Sequence, residues 1–176
     1  MVWPLVILAG VVLLDQTTKL WAVSSLAGQP PVRVLGDFLM FTLVYNEGVA
    51  MGTRIGPSLY YLIMALAVLP FVLYYIFHNR HTPAMSLPLA FIAGGATGNL
   101  IDRIRFGQVV DFIDVDFFNI SIGSFQLDRW WTFNVADSAI SCAIVFLLIH
   151  MLFQRKEPRS NGLPPVQPGG TSDLAG

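Results

Sequence analysis

Long apolar runs alternate with polar segments along the chain and predict four helices. The runs cover about 2–24, 58–78, 86–104 and 134–154. Each approaches the roughly 20 residues that a helix needs to cross a bilayer. The first run begins without basic residues and continues into DQTTK (15–19), so we expect a retained span rather than a cleaved leader peptide.

The longer segments between the runs predict strands rather than plain loops. VRVLGDFLMFTLVYN (32–46) mixes β-branched and aromatic residues in partial alternation, bounded by Gly and Pro, which is typical of two short strands. We expect a small sheet over 31–52 at the membrane surface. The segment VVDFIDVDFFNISIGSFQLDRWW (109–131) is typical of a further strand or of interfacial structure, with Trp130 and Trp131 at headgroup level.

Composition places the chain among membrane proteins. Of its 176 residues, 55% are hydrophobic and 12% are charged, against about 25% charged in soluble domains. The net charge of −1 lacks the basic footprint of a nucleic-acid-binding protein. A single cysteine, Cys142, excludes a disulfide framework and a thiolate metal cluster. We predict one membrane domain over 1–157 and a disordered, Pro- and Gly-rich cytoplasmic tail over 158–176.

Basic residues beside the runs predict the orientation of the chain. Arg155, Lys156 and Arg159 follow the last run, and Arg80 lies between the second and the third. Short basic flanks favour the cytoplasm. We therefore expect both termini in the cytoplasm, although the opposite segments also contain arginines.

Polar side chains in or beside the runs gather at the opposite, outer boundary. They are Asp15, Lys19, Asn46, Glu47, Asn99, Asp102, Arg103, Asp111, Asp114, Asn134 and Asp137. Some have ordinary explanations, since Asp15 and Lys19 are spaced as a helical pair and Asp102 and Arg103 are typical of charges at a helix end. A Gly-rich stretch in the third run indicates close helix packing. Convergence of so many polar groups at one depth on three runs indicates a functional site.

The residue types in this cluster leave few reaction chemistries. The histidines of the chain are His78, His81 and His150. All three lie at the predicted cytoplasmic ends, which excludes a His-containing triad or a zinc site in the cluster. Lys19 with Ser24 or Ser25 would make a Ser–Lys dyad, but no motif supports one. Carboxylates remain, and two that share a proton can activate water, which is aspartic peptidase chemistry without a metal or other cofactor.

Two other functional classes stay open on the residues alone. The same groups could form a proton- or ion-handling site in a small transporter subunit. The opposite halves of the runs hold almost no polar residues, however, and no internal repeat of the kind common in transporters is visible. An assembly subunit held by its Gly-rich helix would leave the acids unexplained.

Five short blocks in the chain resemble those of one enzyme family. They are DQTTK (15–19), NEGVAMG (46–52), GGATGNLIDR (94–103), VVDF (109–112) and FNVADSAI (133–140). In type and order, over about 1–155, they resemble the lipoprotein signal peptidases, signal peptidase II. The resemblance implies a membrane all-α fold of four transmembrane helices with a small β-sheet, or cradle, on the outer face. It also implies a monomeric aspartic endopeptidase of the bacterial inner membrane, in contact with membrane lipid. Such an enzyme cuts a diacylglyceryl-modified prolipoprotein before its lipidated cysteine, at the outer edge of the membrane.

The matching positions imply roles for individual residues. Asp111 and Asp137 match the catalytic aspartates, and Asp114 is a rival to the first of them because it lies only three residues on. The other matched polar positions, expected to bind substrate or support the site, are Asp15, Asn46, Gly48, Asn99, Asp102, Arg103 and Asn134.

Further expectations concern pairing and departures from the family pattern. We expect Arg103 to pair with Asp102 at the end of the third helix, and Asp15 to orient Asn46. Met51 stands where an aromatic residue is usual, and the stretch between the two catalytic positions is long for the family. These departures bear on substrate preference rather than on the chemistry.

Overall fold

A computed structural model describes residues 2–48, 58–116, 120–122, 125–127 and 131–153. The helices are α1 (Trp3–Leu26), α2 (Ser58–His78), α3 (Pro83–Phe106) and α4 (Val135–Phe153). The strands are β1 (Val32–Leu35), β2 (Leu39–Asn46), β3 (Val109–Val115), β4 (Ile120–Ile122) and β5 (Phe125–Leu127). All four helices are long and apolar enough to cross a membrane. The predicted architecture of four such helices with a small sheet is confirmed.

The ends of α3 follow from local chemistry. The helix begins at Pro83 rather than at 86, because proline fits the first turn, where its missing N–H is not needed. It ends at Phe106, where Gly107 adopts a left-handed φ of 72° and donates its N–H to the Arg103 carbonyl at 3.0 Å.

Helix α3 lies at the centre of the bundle and contacts the other three helices. Its glycines allow a very close approach. A Cβ added at Gly98 would lie 2.4 Å from a carboxylate oxygen of Asp15 on α1, and one at Gly95 would lie 2.5 Å from the carbonyl of Ala136 on α4. Gly94 meets α1 in a similar way. The close packing predicted from the Gly-rich stretch is therefore confirmed.

The three-stranded antiparallel sheet has the order β1-β2-β3. Its first two strands are the two short strands predicted from the alternating segment, and they pair antiparallel with each other. A shift in register between β2 and β3 leaves Thr42 and Leu43 opposite the single residue Phe112. This β-bulge lies beside Asp111, and bulges often re-aim side chains next to active sites.

The sheet rests on the last turns of α1. Ala22 and Leu26 form a buried cluster with Phe112 of β3. The Trp21 ring packs edge-on against Phe41 of β2, with the ring centroids 5.2 Å apart. These contacts fix β3 relative to the helices.

The free edge of β3 pairs with Phe133, two residues before the start of α4. The N–H of Ile113 donates to the carbonyl of Phe133 at 2.8 Å, and the Phe133 N–H donates back to the Ile113 carbonyl at 3.0 Å. The first turn of α4 is thereby held beside β3.

Several sequence predictions fall outside the described residues. They concern the tail over 158–176, Trp130, Met51 and the last part of the predicted 31–52 sheet. The single-domain boundary at 157 remains a prediction.

Strands β4 and β5 pair with each other as a separate antiparallel hairpin.

Candidate active site

Strand β3 carries Asp111 into the buried end of the bundle. Its side chain is only 2% exposed. One carboxylate oxygen accepts a hydrogen bond from Asn46 Nδ2 at 3.0 Å, and the other accepts one from Asn134 Nδ2 at 2.7 Å. Both oxygens are therefore bonded by neutral amides rather than by cations.

Asp137 lies in the first turn of α4 and forms a reciprocal cap with Asn134. The Asp137 N–H donates to Asn134 Oδ1 at 2.9 Å, while the Asn134 N–H donates to Asp137 Oδ2 at 3.2 Å. This is the geometry of a capping box, and a carboxylate there is also favoured by the helix dipole. The cap explains why an apolar helix begins with an acid. The second carboxylate oxygen accepts a bond from Asn99 Nδ2 at 2.8 Å.

Asn134 joins the two aspartates. Its side-chain amide donates to Asp111 and its backbone N–H donates to Asp137. It is fully buried, and the preceding residue is Phe133, which is bonded to β3. A strand and a helix start thus bring Asp111 and Asp137, 26 positions apart in the sequence, to the two sides of one asparagine.

A buried ammonium lies behind this pair. Lys19, 3% exposed, contacts a carboxylate oxygen of Asp15 at 2.9 Å and one of Asp102 at 2.8 Å. It also donates to Asn99 Oδ1 at 2.8 Å. The spacing of Asp15 and Lys19 along α1 indicated a simple helical pair, but the pair is buried and extends across to α3.

Gln16 belongs to the same group and was missed by sequence reasoning. Its side-chain nitrogen donates to Asp102 Oδ1 at 3.0 Å, to the Gly98 carbonyl at 3.1 Å and to Asp15 Oδ2 at 3.2 Å. The available signal was its position inside the DQTTK block, directly after Asp15.

Two predicted pairings are wrong. The carboxylate of Asp102 forms its salt bridge with Lys19. The guanidinium of Arg103 instead donates to the carbonyls of Asn99 at 3.3 Å and Gly48 at 3.1 Å. Asp15 does not orient Asn46. The Asn46 side chain is held by the Gly48 N–H, which donates to its Oδ1 at 2.9 Å.

Asp114 lies away from the pair. Residues three apart in a strand point to opposite faces, so Asp114 and Asp111 diverge. Asp114 is 7% exposed and accepts a hydrogen bond from the Thr42 hydroxyl at 3.0 Å. The two sequence candidates on β3 are therefore in different environments.

The pKa of Asp111 is strongly displaced. Burial, which removes water from the carboxylate, and then the nearby negative charge of Asp137 raise it from an ordinary value of 3.8 to about 7. Hydrogen bonds from Asn46 and Asn134 and the positive charge of Lys19 act in the opposite direction. Near neutral pH this acid can therefore hold or release a proton, as general acid–base catalysis requires.

The three histidines lie at the other end of the bundle. His78 ends α2, His81 precedes α3, and His150 is in the last turn of α4. Across the described ranges, no group of three or more His, Cys, Asp or Glu side chains is placed to hold a metal ion. The groups that the described residues bring together around Asp111 and Asp137 are carboxylates and side-chain amides.

The chain matches the model of one protein family, described as signal peptidase (SPase) II, over residues 7–153. It is 38% identical over 153 residues to the lipoprotein signal peptidase of Syntrophus aciditrophicus (strain SB), covering 84% of this chain and 90% of that protein. It is 41% identical over 149 residues to the lipoprotein signal peptidase of Coxiella burnetii (strain RSA 331 / Henzerling II), covering 81% of this chain and 85% of that protein.

Two solved structures share the fold. Each is described as a bacterial membrane enzyme solved by the in meso method, one at 2.3 Å and one at 1.9 Å resolution. The first aligns with a TM-score of 0.74 at 25% identity and covers 90% of this chain and 94% of its own. The second aligns with a TM-score of 0.73 at 28% identity and covers 88% of this chain and 96% of its own.

Proposed function

Because this chain belongs to the signal peptidase II family, we propose that this lipoprotein signal peptidase is an aspartic endopeptidase whose catalytic carboxylates are Asp111 and Asp137. The observation that carries the proposal is their common attachment to Asn134. Both acids accept hydrogen bonds from that one residue, and the charge of one raises the pKa of the other. Two carboxylates coupled in this way hold one proton between them over a wide pH range.

The substrate is a prolipoprotein whose cysteine carries diacylglycerol, and the cut falls just before that cysteine. The helices bring most of their apolar side chains to the outside of the bundle, where lipid would surround them. The polar cluster lies toward the end of the bundle that carries the sheet. We assign that end to the outer face of the bacterial inner membrane and both termini to the cytoplasm, in a monomeric enzyme.

The catalytic step uses one water molecule and one shared proton. The ionised carboxylate removes a proton from the water as the water oxygen attacks the scissile carbonyl carbon. The protonated carboxyl then gives its proton to the amide nitrogen as the carbon–nitrogen bond breaks. The pair ends with one proton, as it began, so it is ready for another turnover. Which acid holds the proton is a property of the coupled pair.

The asparagines around the pair act as neutral hydrogen-bond donors. Asn46 and Asn134 bond Asp111, and Asn99 bonds Asp137. An amide donor orients a carboxylate and favours its charged form without cancelling that charge. The acids can therefore exchange a proton while they stay in place.

The transporter hypothesis is not favoured. Buried charged side chains in the described ranges are confined to the cluster and to the adjacent Asp114. In the far halves of the described helices the buried polar side chain is Ser86, which is uncharged and alone does not make a path across the bundle.

The test is cleavage of a diacylglyceryl-modified prolipoprotein in detergent, with a chelator present. The proteins compared are wild type, Asp111→Asn, Asp137→Asn and Asp114→Asn. We expect wild type and Asp114→Asn to cut and the other two variants to be inactive. An inactive Asp114→Asn with an active Asp111→Asn would move the chemistry to the other acid. A requirement for added metal would contradict the two-carboxylate mechanism.

A further inference from the structure

The charged side chains behind the catalytic pair are not used by the mechanism above. We name Asp15, Lys19 and Asp102 the Lys19 triad. Each is at most 3% exposed. A single ammonium contacts two carboxylates, one on its own helix α1 and one on α3. Buried ion pairs are weak evidence for stability, since apolar replacements are often equally stable, so the triad calls for another explanation.

Both carboxylates of the triad also hold the backbone just before a catalytic aspartate. Asp102 Oδ2 accepts the N–H of Val110 at 3.1 Å, and Val110 directly precedes Asp111. Asp15 Oδ1 accepts the N–H of Ala136 at 3.0 Å, and Ala136 directly precedes Asp137.

These two hydrogen bonds, from the Val110 N–H to Asp102 and from the Ala136 N–H to Asp15, each hold the backbone beside one catalytic aspartate. Val110 is 1% exposed and Ala136 is fully buried, so water cannot replace either bond easily. Lys19 holds the two acceptors together, and Gln16 bonds both of them as well. Through this connection the backbone of β3 and the backbone of α4 are tied to one point on α1.

We propose that the Lys19 triad is a positioning device that sets the separation and orientation of Asp111 relative to Asp137. The inference rests on the proposed function, because it gives the triad a role only if those two acids react. Helix α1 then contributes to catalysis without touching the substrate. A misplacement of about 1 Å between reacting groups can cost about 100-fold in rate, so a clamp on both backbones has a direct kinetic effect.

The charge of Lys19 also reaches the catalytic pair. Its positive charge holds the pKa of Asp111 below the value that burial and Asp137 alone would produce. The other charged groups around this point are Asp15 on α1, and Asp102 and Arg103 on α3. Loss of the ammonium should therefore change the pH dependence as well as the rate.

The experiment compares Lys19→Met with wild type in the same prolipoprotein cleavage assay, per folded molecule. We expect kcat to fall about 100-fold, while KM changes by less than about threefold because no substrate contact is removed. We also expect the alkaline limb of the kcat/KM profile to move to higher pH, because the pKa of Asp111 rises when the cation is lost. A purely structural lysine would lower the yield of folded enzyme without moving that limb.

A second variant guards against a misfolded single mutant. Lys19→Met with Asp102→Asn removes one positive and one negative charge together, so the net charge is unchanged. An asparagine keeps an acceptor oxygen for the Val110 N–H, yet the ionic link through Lys19 to α1 is lost, and we expect a similar fall in kcat. Asp37→Asn, which breaks the exposed ion pair with Arg33, is the control and should change neither quantity.

The outcomes separate this inference from the proposed function. Lys19 variants whose kcat and pH profile match wild type overturn the positioning role, even when Asp111→Asn is inactive in the same series. Variants that fail to fold in both forms also overturn it, since the triad is then a stability element. If Asp111→Asn cleaves as well as wild type, the proposed function itself fails, whatever the Lys19 variants do.

Discussion

Asn134 and Asp137 cap each other across the first turn of α4, each donating a backbone N–H to the side chain of the other. Asp137 therefore has two separable attributes. Its oxygens as acceptors complete the helix start, and its charge and titratable proton are what the proposed chemistry uses.

Substitutions at Asp137 should separate these attributes. Asp137→Asn keeps an acceptor for the Asn134 N–H, so we expect a melting temperature close to that of wild type with no cleavage. Asp137→Ala removes the acceptor and should lose about 1 kcal/mol of stability, the usual cost of a lost cap, as well as activity. Thermal unfolding in detergent measures the first effect. Equal destabilisation by both substitutions would show that the charge, not the cap, stabilises the helix start.

The pKa of Asp111, about 7, predicts a fall in kcat/KM as pH rises above about 7, when the pair loses its shared proton. Asn46 donates to the carboxylate and lowers this pKa. Asn46→Ala should therefore move the alkaline limb to higher pH. A full pH profile of both proteins tests this, and a limb that moves to lower pH would contradict the assignment.

The same pKa predicts how stability depends on pH. Below 3.8 the Asp111 carboxyl is protonated in both folded and unfolded chains, and its contribution to stability is fully present. That contribution is lost as pH rises through about 7, because the unfolded chain releases the proton much earlier. Asp111→Asn stays neutral, so its melting temperature should rise relative to that of wild type as the pH increases from about 5 to about 8. A constant difference across that window would argue against a displaced pKa.

Gly98 and Gly10 form a matched pair for testing helix contact. A Cβ at Gly98 would lie 2.4 Å from Asp15 Oδ2, whereas one at Gly10 would have no atom within 4 Å. Gly98→Ala should displace Asp15 and reduce both folding yield and cleavage. Gly10→Ala should be neutral or stabilising by up to about 1 kcal/mol, since alanine favours helix. Yield, melting temperature and cleavage of the two variants check this, and an active, stable Gly98→Ala would contradict the tight contact.

Arg103 and Arg105, both on the last turn of α3, allow a second matched comparison of variants. Arg103 donates to the carbonyl of Gly48, whose N–H in turn holds Asn46 against Asp111. Arg105 is exposed, with its guanidinium 4.8 Å from the Phe106 ring centroid. Arg103→Gln should lower kcat/KM about tenfold or more, since a hydrogen bond from a charged donor contributes about 1.5–3 kcal/mol.

Arg105→Gln is the control for that measurement. It removes the same charge from the same helix end and leaves the hydrogen bond from Arg103 to Gly48 in place. We expect its kcat/KM to stay close to that of wild type. Equal losses in the two variants would point to a general effect of charge at this end of the bundle.

Hydropathy alone predicted the four helices, because a long apolar run has few alternatives to a membrane helix. The gathering of polar residues at one end of the bundle could also be predicted from their positions in the sequence, because successive helices cross the membrane in opposite directions. The hydrogen-bond and ion-pair partners inside the polar cluster could not be predicted from the sequence. The ion-pair partner of Asp102 is Lys19 and not the predicted Arg103. This pairing depends on how closely α1 approaches α3 at Gly98.

Other features needed three-dimensional information of a different kind. The bulge at Thr42 and Leu43 depends on how β2 and β3 pair, and sequence periodicity carries no record of register between strands. The cap at Asn134 was visible in principle, because Asn followed three residues later by an acid is typical of a helix start.

The backbone bridge between Ile113 and Phe133 has a consequence for how this protein can diversify. The segment that follows β3 returns to Ile113 at Phe133, so it is a loop whose two ends are joined by backbone hydrogen bonds. Each doubling of such a loop costs only about 0.6 kcal/mol in closure entropy. Insertions between the end of β3 and Phe133 would therefore leave this bridge, and with it Asp111 and Asn134, in place.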